Sequence, residues 1–158
     1  MPSVTGEWVR GRRIGVDVGS VRVGIAVCDP DGILASPVAT LARDQRADDG
    51  DPSDMSQIMA YVAEYEAIEI VVGLPINLAG KEGPAAGLIR QYADRLGRMA
   101  APVPVVLTDE RMSTAAAARR LSERGVRGRR QRAVVDQVAA VEILQGWLDA
   151  RRAGPVRG

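Results

Sequence analysis

From Arg13 onward the chain alternates: Ile14, Val16 and Val18 are apolar, with Gly15, Asp17 and Gly19 between them. A period of two is that of a strand with unlike faces. Val23 to Cys28 predicts a second strand, and Asp29-Pro30-Asp31-Gly32 a hairpin turn. Ile33 to Leu41 predicts a third strand, bent near Pro37. Residues 43–53 are polar and read as a loop. Asp51-Pro52 then starts a helix with Met55, Ile58, Met59 and Val62 on one face. Ile68 to Leu74 is a continuous apolar run, as in a buried parallel strand. A glycine-rich connection, Pro75 to Gly83, leads into a helix through about Met99, and Val103 to Leu107 predicts another buried strand. Ser113 or Thr114 would cap an alanine-rich helix through about Arg124. Residues 125–132 read as a basic loop, and a last helix runs from about Val134 to Ala150. Three strands followed by alternating helices and strands predict one α/β domain over residues 13–150 with a mixed sheet. Residues 1–12 are expected to be a flexible lead and residues 151–158 a tail.

A chain of 158 residues suits a single domain. No apolar run approaches the roughly 20 residues that span a bilayer, and the start lacks a signal-peptide layout. With one cysteine besides, a cytoplasmic protein with no membrane contact is expected. The chain has no histidine. That removes Ser-His-Asp and Cys-His catalysis and every His-ligated zinc site. Any enzyme chemistry falls to carboxylates, with a hard ion such as Mg²⁺ or Mn²⁺.

Asp17 is mid-strand among apolar residues, where a carboxylate is costly unless paired or metal-bound. A simpler role would be a bond to a nearby turn. Asp109-Glu110-Arg111 follows a predicted buried strand directly, where α/β sheets gather functional side chains. Asp109 could instead cap the following helix, and Arg111 could bond a carboxylate or a phosphate. Asp136 shares a stripe with Ala140, Ile143 and Trp147 that faces the sheet, while Glu142, Gln145 and Asp149 fall on the solvent side. A dipole role in a first helical turn explains its place along the helix but not its inward direction. Together Asp17, Glu110 and Asp136 could hold one or two divalent ions about 4 Å apart, the arrangement for in-line phosphodiester hydrolysis.

Net charge is +1 and predicts no partner, but segment 119–132 holds seven arginines against Glu123 alone. Arg127, Arg129, Arg130 and Arg132 lead directly toward Asp136. Such a run is often only solvated; here it could also clamp a nucleic-acid backbone. Aromatic residues are 3%, so base stacking is expected to be minor. The loop Gly73-Leu74-Pro75-Ile76-Asn77, with Gly80 and Gly83, could offer N–H groups to a phosphate or could be an ordinary turn. Cys28 reads as a small core residue; exposed on an edge, it could link two copies.

These stretches resemble the YqgF/RuvX family, RNase H-like proteins described both as Holliday junction resolvases and as pre-16S rRNA nucleases. The resemblance lies in Gly15-Val-Asp-Val-Gly-Ser20 with Arg22 and Gly24, and in Val72-Gly-Leu-Pro-Ile-Asn77 with Gly80. It continues in Asp109-Glu-Arg-Met-Ser-Thr114 and in Val135-Asp136 with Ala139-Ala140. It implies a five-stranded mixed sheet flanked by helices, with Asp17, Glu110 and Asp136 as catalytic, metal-binding carboxylates. It also implies nucleic-acid contacts from Arg22, Asn77, Arg111 and the arginines at 127, 129, 130 and 132. One departure is Val134, where the family often carries a lysine; Arg132 keeps a basic residue nearby. The expected partner is a ribosomal RNA precursor or, alternatively, branched DNA. The expected assembly is a monomer or a weak homodimer, with Cys28 as a candidate link. Two other readings differ in class. Asp17-Val-Gly-Ser-Val-Arg-Val-Gly24 looks like the first phosphate loop of the actin-like ATP-binding proteins, though one domain of this size lacks their second half. The third reading is a non-catalytic nucleic-acid-binding factor.

Overall fold

The computed structural model describes residues 8–45, 50–112 and 129–153. Its elements are β1 (Arg13–Val18), β2 (Arg22–Cys28), β3 (Ala35–Ala42), α1 (Ser53–Tyr65), β4 (Glu69–Leu74), α2 (Pro84–Ala100), β5 (Val105–Asp109), a 3₁₀ turn (Glu110–Met112) and α3 (Arg129–Ala153). The five strands form one sheet in the order β3-β2-β1-β4-β5. β1–β2 and β2–β3 are antiparallel, while β1–β4 and β4–β5 are parallel. The sheet is therefore mixed and five-stranded, as expected.

Period-two alternation gives the sheet two different faces. Ile14, Val16, Val23, Ile25, Ile70, Val72 and Leu74 form one face and pack with Met55 and Ile58 of α1 and Ile89, Tyr92 and Leu96 of α2. Ala26, Cys28 and Val71 face the other way, against Ala139, Ala140, Ile143, Leu144, Trp147 and Leu148 of α3. On that second face the strands carry glycines where α3 comes close. A Cβ built on Gly15 would stand 2.7 Å from Leu144 Cβ, and one on Gly24 would stand 2.0 Å from the Asp136 carbonyl oxygen.

The structure moves several expected boundaries, each for a local reason. β3 starts at Ala35 because the Ile33 and Leu34 amides donate to the Asp29 carboxylate and belong to the turn. The expected bend at Pro37 is a register shift, in which Ile25 pairs with Ala39 and Ala26 with Pro37. β5 starts at Val105 rather than Val103, because Pro102 and Pro104 have no N–H to donate to a ladder. α3 starts at Arg129, so Arg129, Arg130 and Arg132 belong to a helix and not to a loop. The alanine-rich helix expected from residue 113, and Arg127, lie outside the described residues. Gln145, expected on the solvent side, instead bridges to β3: it accepts from Ala35 N–H at 2.8 Å and donates to Ile33 O at 3.0 Å.

The expected flexible lead is anchored from Trp8 onward. Its indole N–H donates to Pro30 O at 2.9 Å, and its ring meets Trp147 edge-on with centroids 6.3 Å apart. Beside both rings lies the buried Arg13 guanidinium, 3.9 Å from the Trp8 ring centroid and paired with Glu69 at 3.2 Å. Among the described residues, no helix is long and apolar enough to cross a membrane.

Candidate active site

Asp17 lies near the end of β1 and pairs with Gly24 on β2, on the face that α3 covers. Its side chain is buried, with 3% of the residue exposed. β4 runs beside β1 in parallel, and Val16 pairs with Val72. Gly73 is thus one step further along, level with Asp17. β5 runs beside β4 and hands the chain to Glu110, which is 6% exposed. A Cβ built on Gly73 would stand 3.2 Å from Glu110 Cγ and 2.6 Å from Ile143 Cδ1. Glu110 therefore leans over the bare backbone of Gly73, between its own strand and that of Asp17. The two carboxylates occupy the carboxyl ends of parallel strands, where α/β sheets place their sites.

Asp136 arrives from α3. It is the eighth residue of a helix that starts at Arg129, beyond the first turn where the dipole acts. Its backbone rests on Gly24, and its Oδ2 accepts from Arg22 Nε at 2.6 Å. Arg22 begins β2, so the pair joins helix to sheet beside Asp17. The inward direction read from the helical stripe is correct. Among the described residues, however, no three acidic, cysteine or histidine side chains are grouped to hold a metal ion. Asp136 is engaged by Arg22 instead.

The remaining site residues divide into those with local partners and those outside the described residues. Arg111 pairs with Asp109 at 2.7 Å, and the Arg111 amide donates to the same carboxylate. Hydrogen bonding from Arg111 holds the Asp109 carboxyl below its ordinary value. Asp109 thus fastens the 3₁₀ turn that carries Glu110, and Arg111 takes the carboxylate option of its two. Asn77 closes its own loop: its Oδ1 accepts from Lys81 N–H at 2.9 Å, and Gly80 adopts a φ of +80°. That is the ordinary turn, with Gly80 supplying the left-handed backbone. A Cβ there would lie 3.6 Å from an Arg111 nitrogen, so the loop borders the Glu110 turn. Val134, at the departure from the family pattern, is 54% exposed.

Cys28 is 2% exposed, and its sulfur accepts from the Arg13 amide at 3.2 Å. Burial pushes its thiol pKa up. The covalent link between copies finds no support, because the sulfur points into the core rather than off an edge.

Two residues that shape the site were missed as such. Gly24 and Gly73 admit Asp136 and Glu110 by having no side chain. Mid-strand glycines were the available signal, since a glycine there often marks a close approach.

The comparisons with known proteins agree with this arrangement of sheet and helices. The chain matches the family described as RuvX, Holliday junction resolvase, over residues 11–150. A protein of Rhodococcus erythropolis assigned as a pre-16S rRNA nuclease is 56% identical over 142 residues, covering 90% of this chain and 80% of the relative. One of Mycolicibacterium smegmatis with the same assignment is 56% identical over 144 residues, covering 91% and 84%. Among solved structures, Thermus thermophilus RuvC in complex with Holliday junction substrate aligns with a TM-score of 0.53 over 91% of this chain and 96% of that one. At 17% identity that likeness speaks for the fold alone. With more than half of the residues identical across nine-tenths of the chain, and a family match over almost the same span, this chain belongs to the RuvX family of nucleases.

Proposed function

We propose that the protein cleaves phosphodiester bonds with Mg²⁺ or Mn²⁺ and that its substrate is pre-16S ribosomal RNA, trimmed at the 5′ end. The observation that carries this reading is the pair of buried carboxylates, Asp17 and Glu110, at the carboxyl ends of parallel strands on either side of the one that carries Gly73. The donor set consists of hard oxygens, which suits Mg²⁺ or Mn²⁺ and not a thiophilic ion. Asp17 and Glu110 would hold the ion; Asp136 would join them on release from Arg22. Both members of that pair are partly exposed, 31% for the arginine side chain and 17% for the aspartate, so the exchange leaves the core closed. When bound, such an ion supplies a hydroxide at neutral pH and offsets charge on the phosphate. Released from Asp136, the Arg22 guanidinium has the planar fork that pairs with a phosphate. Arg129, Arg130 and Arg132 on the start of α3 would add backbone contacts beside it.

Asp17→Asn and Glu110→Gln are each expected to lower the cleavage rate by at least about a hundredfold, while melting temperature and circular dichroism stay near wild type. Asp136→Asn should behave the same way. Full activity in any of the three removes that residue from the mechanism, and undiminished cleavage in excess chelator removes the ion.

A second reading, four-way DNA junctions, is favoured by the family's description. A resolvase must cut two strands related by two-fold symmetry and so needs two sites in one assembly. An RNA-trimming enzyme needs one. Cleavage of a precursor ribosomal RNA fragment and of a four-way junction, run beside sedimentation of the protein, separates them. We expect RNA cleavage by a monomer. Paired symmetric cuts in the junction by a stable dimer, with RNA left intact, would favour the resolvase.

A further inference from the structure

On the face of the sheet away from α3, a cleft of about 320 Å³ opens between α2 and residues 43–45 with Pro52 and Met55. Gln91, Arg95 and Arg98 line it from α2, at the i, i+4, i+7 spacing of one helical stripe. Arg43 and Gln45 line it from the other side, with Asp44 as the acid among its lining residues. Among the described residues that line it, three arginines thus face one carboxylate, and that carboxylate accepts from the Ser53 amide at 2.8 Å.

The arginines are placed but not used up. Arg43 Nη1 donates to Gly19 O at 2.8 Å, and its guanidinium lies 5.1 Å from the Tyr92 ring centroid. Arg95 Nη2 donates to Gly50 O at 2.9 Å. Among the described residues, each spends one of its five N–H donors this way. Arg98 is exposed. Beneath them, Tyr92 donates to Asp54 Oδ2 at 2.8 Å, while Asp54 Oδ1, wholly buried, has no hydrogen-bond partner.

The cleft also adjoins the catalytic end of the sheet. Arg43 bonds Gly19, the Arg43 amide donates to Val21 O at 2.8 Å, and Gln45 donates to Ser20 O. Residues 19–21 form the turn that follows Asp17. That turn therefore lies between the end of β1 that carries Asp17 and the cleft.

We propose that this cleft binds a phosphate of the substrate's sugar-phosphate backbone flanking the cut, held by Arg43, Arg95 and Arg98. This rests on the nuclease reading above and gives the substrate a second anchor, separate from the arginines of α3. The ligand chemistry is a phosphate diester, and the width of the site and the number of forks suit one such group.

The test uses the full chain in chelator, so that no cleavage intervenes, and follows a labelled single-stranded RNA by fluorescence anisotropy over a range of salt. Arg95→Gln with Arg98→Gln is expected to weaken binding three- to tenfold and to flatten the log–log salt slope by about 0.7 for each phosphate the variant no longer neutralises. A dinucleotide, whose single internucleotide phosphate is the one at the cut, should bind both proteins equally. Inorganic phosphate should compete with the long RNA on wild type more than on the variant. The single variant Arg98→Gln, at an exposed position, guards against misfolding and should give part of the loss. An unchanged affinity and slope for the long RNA would overturn the proposal. An equal loss for the dinucleotide would overturn it too, by assigning the effect to the general field of the protein. Wild type that holds neither RNA nor DNA would overturn the nuclease reading along with the cleft, whereas retained binding with an unaltered slope overturns the cleft alone.

Discussion

The two faces of this sheet come from alternate residues of the same strands and have opposite chemistry. Toward α1 and α2 the strands present branched aliphatic side chains, buried to 0% exposure at Ile14, Val16, Val23, Ile25, Ile70 and Val72. Toward α3 they present Arg13, Gly15, Asp17, Arg22, Gly24, Glu69 and Gly73. One face gains stability by filling volume. The other gives up side-chain volume so that a helix can lie against the strands and pair Asp136 with Arg22. A strand that alternates in this way can satisfy packing and chemistry together, because neither face has to compromise for the other.

The comparison can be broken first at Gly24. Alanine there would place a Cβ 2.0 Å from a backbone oxygen of α3, which cannot rotate away as a side chain could. Gly24→Ala is expected to cost at least about 3 kcal/mol and to lower activity as well, because Asp136 moves with its helix. Thermal melts and cleavage rates check this; a variant that keeps both would mean α3 can shift freely.

On the aliphatic face the matching change is Ile70→Ala. It removes a fully buried side chain and should cost about 3 kcal/mol. Below its melting temperature kcat should stay near wild type, since this face carries none of the carboxylates. A large fall in kcat would show that the two faces are coupled.

A smaller effect is expected at Tyr92, the polar exception on the aliphatic side. Tyr92→Phe deprives buried Asp54 of the hydrogen bond to its Oδ2 and should cost about 1–2 kcal/mol. Replacing Asp54 by asparagine in the same background should recover part of that loss.

The smallest expected effect is a plateau. Burial, and then the Asp54 charge, push the Tyr92 phenol above its usual 10.0. The neutral phenol is favoured in the fold, so this stabilisation is present below about pH 10 and lost as pH rises further. Asp109 and Asp149 lie below the ordinary 3.8, held there by hydrogen bonds from Arg111 and from Gln145 and Arg152. Their contribution is present above about pH 3.8 and lost as pH falls. With no histidine, nothing of that kind titrates between, and the melting temperature should be level from about pH 5 to 8. A step near pH 6–7 would point to a carboxylate raised by its neighbours.

Much of this was legible from spacing. Alternation in 14–19 and the unbroken run 68–74 predict strands because a buried strand leaves few other choices. The stripe through Asp136, Ala140, Ile143 and Trp147 gives its direction for the same reason. What escaped depends on groups that spacing does not see. The start of β3 depends on where the Asp29 carboxylate takes its hydrogen bonds, and the start of β5 on prolines that cannot donate. The pairing of Arg22 with Asp136 joins residues 114 positions apart, and only the folded sheet brings them together. The cleft around Arg43 is of the same kind, since the helical stripe of Arg95 and Arg98 gains meaning only opposite Arg43.

The clasp of Trp8, Arg13 and Trp147 has a mechanical side. Arg151 closes over Trp147 from the other direction, 4.4 Å from the ring centroid. α3 is therefore gripped near its last turns, and its opposite end leads away from Asp136 toward Arg129. It is a cantilever, clamped at one end and carrying its functional load toward the other. Val134 and Val138 stand exposed at 54% and 43%, whereas Leu144 and Leu148 are fully enclosed. Amide hydrogens should record this as a gradient along one helix, exchanging slowly around residues 144–148 and progressively faster toward 134. The carboxylate that Arg22 holds sits on the stretch away from the clamp, where its own backbone rests on Gly24.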